Sequence, residues 1–415
     1  MSTALRQRSL KSALPRFAGP LLLSDRTVEK VLRQLTATLQ GGRVTFVLSS
    51  GRQIQCDSGV AGPEAILYLH SLNALRRLLT AGYIGLAEGY MAAEWSTPSL
   101  RQLFDFGTAN ETCLNQTLKG NWGVRLAHMA THGYRRNSRR GSRKNITRHY
   151  DLGNAFFSRW LDPSMTYSAA LFRKDGAETL LEAQNNKYQR IITELGIETH
   201  HRVLEIGCGW GGFAEKCASE TGAHVTAITV SPGQEKYTAE RLETAGLTDR
   251  TDVQLRDYRD VDGQFDRIVS IEMLEAVGEA YWPTYFGVLA NRLKTGGRAM
   301  VQVITVPDAG FDSYRNAVDF IQRHIFPGGM LLSPGKIQEN ALAAGLEIGG
   351  ELYFGGDYAR TLDAWADTFQ KQWPQIVAHG FDDRFKRTWE YYLGYSAAGF
   401  RAGKIDLGQF CFSKP

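Results

Sequence analysis

Residues Arg202–Ala214 read RVLEIGCGWGGFA, and this stretch decides the fold. Val203, Leu204 and Ile206 make a short apolar run suited to a buried parallel strand, with Glu205 near its end. Gly207, Gly209, Gly211 and Gly212 follow and lead into a helical stretch. A turn without Cβ atoms before a helix N-terminus lets a ligand approach bare backbone N–H groups. The Gly207-x-Gly209 spacing is shared with dinucleotide-binding turns. The acid two residues before the first glycine favours a cationic, amine-bearing group over a pyrophosphate, as in the methionyl part of S-adenosylmethionine.

Outward from this stretch, strand and helix alternate. Strands are expected at 202–206, 223–229, 251–256, 265–271 and 298–306, with helices at about 180–195, 212–221, 232–245 and 281–294. A βαβ series of this kind implies an α/β fold: a doubly wound, mostly parallel, Rossmann-like sheet with its ligand at the C-terminal strand ends. After the second strand a nicotinamide enzyme places an acid for the ribose. Here ITVSPGQ puts Thr229, Ser231 and Gln234 there, which offer neutral hydrogen bonds. After the third strand, Asp257 is placed to accept from an adenine amine and Tyr258 to pack on the ring. Taken singly, Ser231 is a helix cap and Asp257 a turn residue; their order carries the reading. Beyond the series come an aromatic, glycine-rich insert at 307–332, a helix and strand at 335–353, helical stretches at 360–379 and 382–402, and a last strand at 407–413.

The first half of the chain differs. Residues 27–39 read as a helix, 43–48 and 53–56 as a hairpin, and 65–80 as a second amphipathic helix, followed by a glycine-broken aromatic segment at 82–95 and a helix from Ser99. This predicts a smaller α+β N-terminal domain over 1–140 and a catalytic domain over 141–415. The net charge of +5 hides an asymmetry: residues 1–148 hold 21 Lys and Arg against 8 Asp and Glu, the remainder 27 against 35. Residues 134–148 carry seven basic residues and no acid. Such a run also reads as a solvated linker; beside apolar helices, and without a recognition-helix pattern or interleaved aromatics, adhesion to an anionic membrane surface is favoured over nucleic acid. Five cysteines with no CxxC spacing argue against zinc and against a disulfide framework, in keeping with a reducing cytoplasm. His200-His201 lacks an evident third partner, so no metal is expected. No segment approaches a membrane span, and Leu21–Leu23 is too short for a signal-peptide core. A cytoplasmic protein attached peripherally to the inner membrane face is expected, with a homodimer possible.

The chain resembles the cyclopropane-fatty-acid synthase family of S-adenosylmethionine-dependent methyltransferases. The matching stretches are HYDLGNAFF (149–157), LDPSMTYSAALF (161–172), VLEIGCGWGG (203–212), LRDYRDVDGQFDRIVSIEMLEAVG (255–278), FIQRHIFPGG (320–329), FGGDYARTLDAW (354–365) and FRAGKIDLGQF (400–410), with GYIGLAEGYM (82–91) in the N-terminal part. The resemblance implies a class I methyltransferase fold with a helical lid. It implies that Tyr167 and Ser168 hold the methionyl carboxylate, that Gly207 and Gly209 lie beneath the methionyl chain, that Thr229 and Gln234 reach the ribose, and that Asp257 and Tyr258 reach the adenine; Glu205, Gly211 and Ser231 complete the expected cofactor-binding set. The implied acceptor is the double bond of an unsaturated acyl chain on a membrane phospholipid.

An alkene is a poor nucleophile, so it must be held in line with the sulfonium and kept dry. The carbocation that forms needs negative or π density and then a base. Glu275 is placed for this, with Tyr358 and Tyr314 as further catalytic candidates; Glu272 reads as support or surface. His149, Tyr150, Gln302, Ile304, Phe320 and Phe326 are the expected substrate-side residues, the two phenylalanines as walls of the acyl pocket. Family synthases hold a bicarbonate base on a cysteine, a histidine, the glutamate, a tyrosine and a backbone amide. Here the cysteine position is Ala169 and the histidine position Gln302, while Glu275, Ile304 and Tyr358 match. Bicarbonate use is therefore doubtful, and a methyl-branched or methylene product stands beside cyclopropane. Two other readings remain: a methyltransferase for a small soluble acceptor, and a non-catalytic lipid-binding protein with the same fold.

Overall fold

The structure is a computed structural model, and it describes residues 24–117, 152–173 and 177–415. The N-terminal part opens with α1 (Asp25–Leu35), capped by the Ser24 side chain accepting from the Thr27 N–H. Its buried face, Val28, Leu32 and Leu35, packs into the same core as a four-stranded sheet ordered β2-β1-β3-β4. The strands are β1 (Arg43–Leu48), β2 (Gln53–Asp57), β3 (Glu64–Leu69) and β4 (Trp95–Ser96), with α2 (Leu72–Met91) between β3 and β4. The expected single helix at 65–80 is thus corrected. Ala65, Leu67 and Leu69 alternate inward with period two and pair in parallel with β1, and Ser71 caps a helix that starts only at Leu72. The glycine-broken segment is the second half of α2, which bends at Gly82 (φ 58°). Helices α3 (Leu100–Ala109) and α4 (Glu111–Thr117) complete this part. The expected boundary near residue 140 and the basic run 134–148 lie outside the described residues.

The larger part begins with α5 (Asn154–Trp160) and α6 (Leu180–Leu195). The βαβ series follows as β5 (Arg202–Ile206), α7 (Gly212–Thr221), β6 (His224–Thr229), α8 (Pro232–Thr244), β7 (Thr251–Leu255), β8 (Phe265–Ile271), α9 (Trp282–Arg292) and β9 (Leu293–Thr305). Then come α10 (Asp308–Arg315), a π-helical turn at Ile321–Ile325, α11 (Pro334–Ala343), β10 (Glu347–Tyr353), α12 (Gly355–Val377), α13 (Asp383–Arg401) and β11 (Asp406–Ser413). The seven-stranded sheet has the order β10-β11-β9-β8-β5-β6-β7. It is parallel from β9 to β7, and β11 runs antiparallel to both β9 and β10. Strand order reverses at β5, so a crevice opens at its C-terminal end.

The short helix α5 is clasped by α12 and α13 through Phe156, Phe157, Trp160, Trp365, Phe369 and Trp389, a cluster of edge-to-face rings. Helix α13 also packs on α2 and α3 of the N-terminal part. Glu390 accepts from the Tyr90 hydroxyl at 3.0 Å, and Arg401 pairs with Asp105 at 3.1 Å. No helix among the described residues is long and apolar enough to cross a membrane.

Candidate active site

The glycine turn after β5 is pinned to the neighbouring strand: Gly207 and Cys208 both donate their N–H to the Ile228 carbonyl at 3.0 Å. Gly207, Gly209 and Gly211 have φ of 83°, 54° and 82°, which L-residues with a Cβ resist. Their surroundings differ. A Cβ at Gly211 would lie 2.6 Å from the Thr238 methyl, whereas one at Gly209 would meet no protein atom within 4 Å. Gly209 therefore presents backbone to open space, and Gly211 serves close packing of α7 on α8. Glu205 beneath the turn is buried with one carboxylate oxygen unpartnered, and burial pushes its pKa up to about 8 against the pull of Arg241 and Lys187.

Tyr167, Ser168, Glu205, Gly207, Gly209, Thr229, Gln234, Asp257 and Tyr258 all line one cavity of about 1380 Å³. Thr229 donates its hydroxyl to Gln234 at 2.8 Å, while Ser231 caps α8 by accepting from the Gln234 N–H. The Asp257 carboxylate caps a short 3₁₀ turn and holds the Arg259 guanidinium at 2.6 and 2.8 Å. That guanidinium lies 5.3 Å from the centre of the Tyr258 ring. The Tyr167 and Tyr392 hydroxyls meet at 2.8 Å. Ser168 accepts from the Lys187 ammonium at 2.6 Å, and that ammonium also donates to Gln184. Lys187 is missing from the sequence-based candidates. It is wholly buried, and burial lowers its pKa to about 7 although Glu272, Asp162 and Glu205 pull the other way. Its place on the Gln184–Tyr188–Ile191 face of an amphipathic helix was the available signal.

Two carboxylates stand at the end of β8. Glu275 accepts from the Ile304 N–H at 2.7 Å with one oxygen, and its other oxygen is buried without a partner. Burial and the neighbouring Glu272 charge push its pKa up to about 8. Glu272, expected as support or surface, is buried and gathers three donors, so the surface alternative is corrected. Its carboxylate accepts from the Ala169 N–H at 2.8 Å, the Gln302 amide at 2.8 Å and the Tyr358 hydroxyl at 2.6 Å. Its backbone sits at φ 50°, in the left-handed region. Burial raises its pKa, and Tyr358, Lys187 and the two amide donors pull it back. Gln302 stands behind Glu272, fully buried, and its carbonyl is held by the Gln409 amide at 2.9 Å.

Ile304, Tyr314, Phe320, Phe326 and Tyr358 line the same cavity. The Tyr314 hydroxyl accepts from the Leu331 N–H at 3.1 Å. Phe320 packs on Tyr391 with ring centres 4.7 Å apart. His149 and Tyr150 lie outside the described residues. Among the described residues no cluster suits a metal ion, and His201 accepts from the Glu198 N–H through its own ring.

A polar glycine turn and an apolar compartment thus share one cavity, with Glu272 and Glu275 among its lining carboxylates. The chain is 36% identical over 403 residues to the tuberculostearic acid methyltransferase of Mycobacterium tuberculosis, covering 94% of this chain and 92% of that one. It is also 36% identical to the cyclopropane-fatty-acyl-phospholipid synthase of Escherichia coli, over 82% of this chain and 85% of that protein. Among solved structures it resembles the mycolic acid cyclopropane synthase CmaA1 complexed with SAH and CTAB, with a TM-score of 0.61, 30% identity, and coverage of 66% of this chain and 98% of that one. The model of the mycolic acid cyclopropane synthetase family matches residues 137–410, and the chain belongs to that family of S-adenosylmethionine-dependent methyltransferases.

Proposed function

We propose that this protein transfers the methyl group of S-adenosylmethionine to the double bond of an unsaturated acyl chain on a membrane phospholipid. The observation that carries the reading is the single cavity joining the glycine turn to an apolar compartment, with Glu272 and Glu275 on its wall. The residues suit the cofactor. The unpartnered Glu205 oxygen is matched to an ammonium group, and Gly209 leaves room for a ligand against its backbone. In this reading Tyr167 and Ser168 face the methionyl carboxylate, Thr229 and Gln234 the ribose, and Tyr258 with Asp257 the adenine. Gly211 and Ser231 shape the turns from behind. When bound, S-adenosylmethionine supplies an electrophilic methyl group on a sulfonium.

The chain's own residues do the rest. Phe320, Phe326 and Ile304 hold the acyl chain and exclude water. As the alkene carbon bonds to the methyl group, positive charge appears on the neighbouring chain carbon, and the buried carboxylates stabilise it. Glu275 has a free oxygen and, once ionised beside the cationic cofactor, would take the proton. Loss of that proton from the transferred methyl closes a ring; loss from the chain leaves a methyl-branched alkene. Bicarbonate does not suit this site, because Tyr358, Gln302 and the Ala169 N–H already converge on Glu272. Glu272 puts its own carboxyl group in that place. A small soluble acceptor is disfavoured by the apolar lining. Purified enzyme given unsaturated phosphatidylglycerol vesicles and S-adenosylmethionine is expected to add one carbon to the acyl chains, read by gas chromatography and mass spectrometry of their esters. Methylation of soluble amines with untouched lipids would overturn the reading.

Cofactor binding is expected to release protons. Glu205 is largely protonated at neutral pH in the free protein and ionises against the ligand's ammonium, so affinity rises with pH up to about 8. The same shift has the opposite sign for stability. Between 4.5 and about 8 the unfolded chain is ionised at this group and the folded one is not, so the free protein loses stability as pH rises through that window. Calorimetry in buffers of different ionisation enthalpy measures the release, and Glu205→Gln is expected to remove it.

The domain over 1–140 is read as the part that approaches the membrane, with the protein cytoplasmic and peripheral. The seven basic residues of 134–148 carry that expectation. Co-sedimentation with vesicles is expected to increase with anionic lipid and to weaken as salt shortens the Debye length. Binding indifferent to both would refute an electrostatic attachment.

A further inference from the structure

The cavity at Glu275 continues beyond the catalytic half. Its wall runs past Phe320 and Tyr391 to Phe104 and Phe106 on α3, and ends among Leu32, Val44 and Leu67 in the core of the N-terminal part. The residues at that end are buried: Leu32 and Val44 are each 2% exposed and Phe106 is 5% exposed. Its lining is mostly aliphatic and aromatic, with the hydroxyls of Thr36, Thr80 and Thr108 among it. The one charged N-terminal residue among the described lining, Glu111, is paired with Lys404 at 2.6 Å. A volume of about 1380 Å³ exceeds the ~300–1,000 Å³ of an ordinary small-molecule pocket, so a second, elongated ligand has room beside the cofactor. The two halves are also fastened together around this passage. Glu88 of α2 pairs with Arg323 of the insert at 3.0 Å, and Asp105 of α3 with Arg401 of α13 at 3.1 Å.

We propose that the N-terminal part is a binding site for the methyl end of the acyl chain, and that its buried apolar end sets which chain position lies beside Glu275. This rests on the reading of the substrate as an unsaturated acyl chain. A buried, mainly apolar end with no lysine or arginine among its described N-terminal lining suits a hydrocarbon terminus and not a phosphate headgroup. The length of chain between double bond and methyl end then decides how well the alkene meets the reacting centre.

Two phospholipids with the double bond at the same distance from the ester, but with short or long tails beyond it, test this. In Val44→Phe the ratio of kcat/KM for the long tail over the short is expected to fall at least tenfold, and in Phe106→Leu to rise. A general loss of stability lowers both rates together and leaves the ratio unchanged, an outcome that would overturn the proposal. A second measurement needs no variant: a phospholipid with a photoreactive diazirine at the acyl methyl end is crosslinked to the parent enzyme. Labelled peptides from residues 24–117 support the site, and labels confined to 152–415 overturn it. If the parent methylates neither lipid, the functional reading fails first and takes this inference with it.

Discussion

Turnover by Glu275→Gln is expected to fall by about 10²- to 10⁴-fold, the usual contribution of a positioned base, while S-adenosylmethionine affinity stays close to that of the parent. The amide keeps the shape of the side chain, so Ile304 still has an acceptor, but the proton acceptor is gone. Its partner Glu272 gives a sharper test. Glycine relieves the φ of 50° at this position and opens space beside the Ala169 N–H, Gln302 and Tyr358. Glu272→Gly is therefore expected to fold, to be nearly inactive alone, and to regain turnover when bicarbonate is added. The parent should be indifferent to bicarbonate. Adding Ala169→Cys and Gln302→His to Glu272→Gly should strengthen the rescue and raise the cyclopropane share of the product. A parent strongly stimulated by bicarbonate would refute the role given to Glu272.

Gly209→Val is expected to reduce S-adenosylmethionine binding by at least two orders of magnitude. Valine carries two penalties there. A β-branched residue is forced into the left-handed region at φ 54°, at a cost of about 1–2 kcal/mol, and its methyl groups project into the cavity where the backbone would meet the ligand. Gly209→Ala separates the two, since it carries most of the backbone strain with little of the bulk. Titration calorimetry on both variants checks this. Unchanged affinity in Gly209→Val would move the cofactor away from the turn.

Much of the larger domain was legible because buried parallel strands and amphipathic helices leave long, regular signals. The strand at 202–206, the glycine turn and the helices at 180–195 and 212–221 fall where periodicity places them. Residues 65–80 misled because β3 is short and runs within two residues of a leucine-rich helix, so the joined stretch carries a helical density of apolar residues. Glu272 was illegible for another reason. Its importance comes from an unusual backbone angle and from donors 103, 86 and 30 residues away, none of which leaves a local pattern. Lys187 lies between these cases: the burial of its face was readable, its three acidic neighbours were not.

The place of β11 has a consequence for biosynthesis. This strand lies between β9 and β10 and pairs with β9 in register from Asp406 to Ser413, setting Gln409 opposite Gln302. It is synthesised after every other described strand. While the nascent chain still holds 406–413 in the ribosomal tunnel, β9 and β10 have no strand to join them, and Gln302 lacks the amide that fixes its carbonyl. The cofactor crevice around β5 to β7 can form early, from contacts close in sequence. The anchorage of Glu272 has to wait for a pairing between residues about a hundred positions apart, which is slow to close. Folding is thus expected to yield a cofactor-binding species before a catalytically organised one.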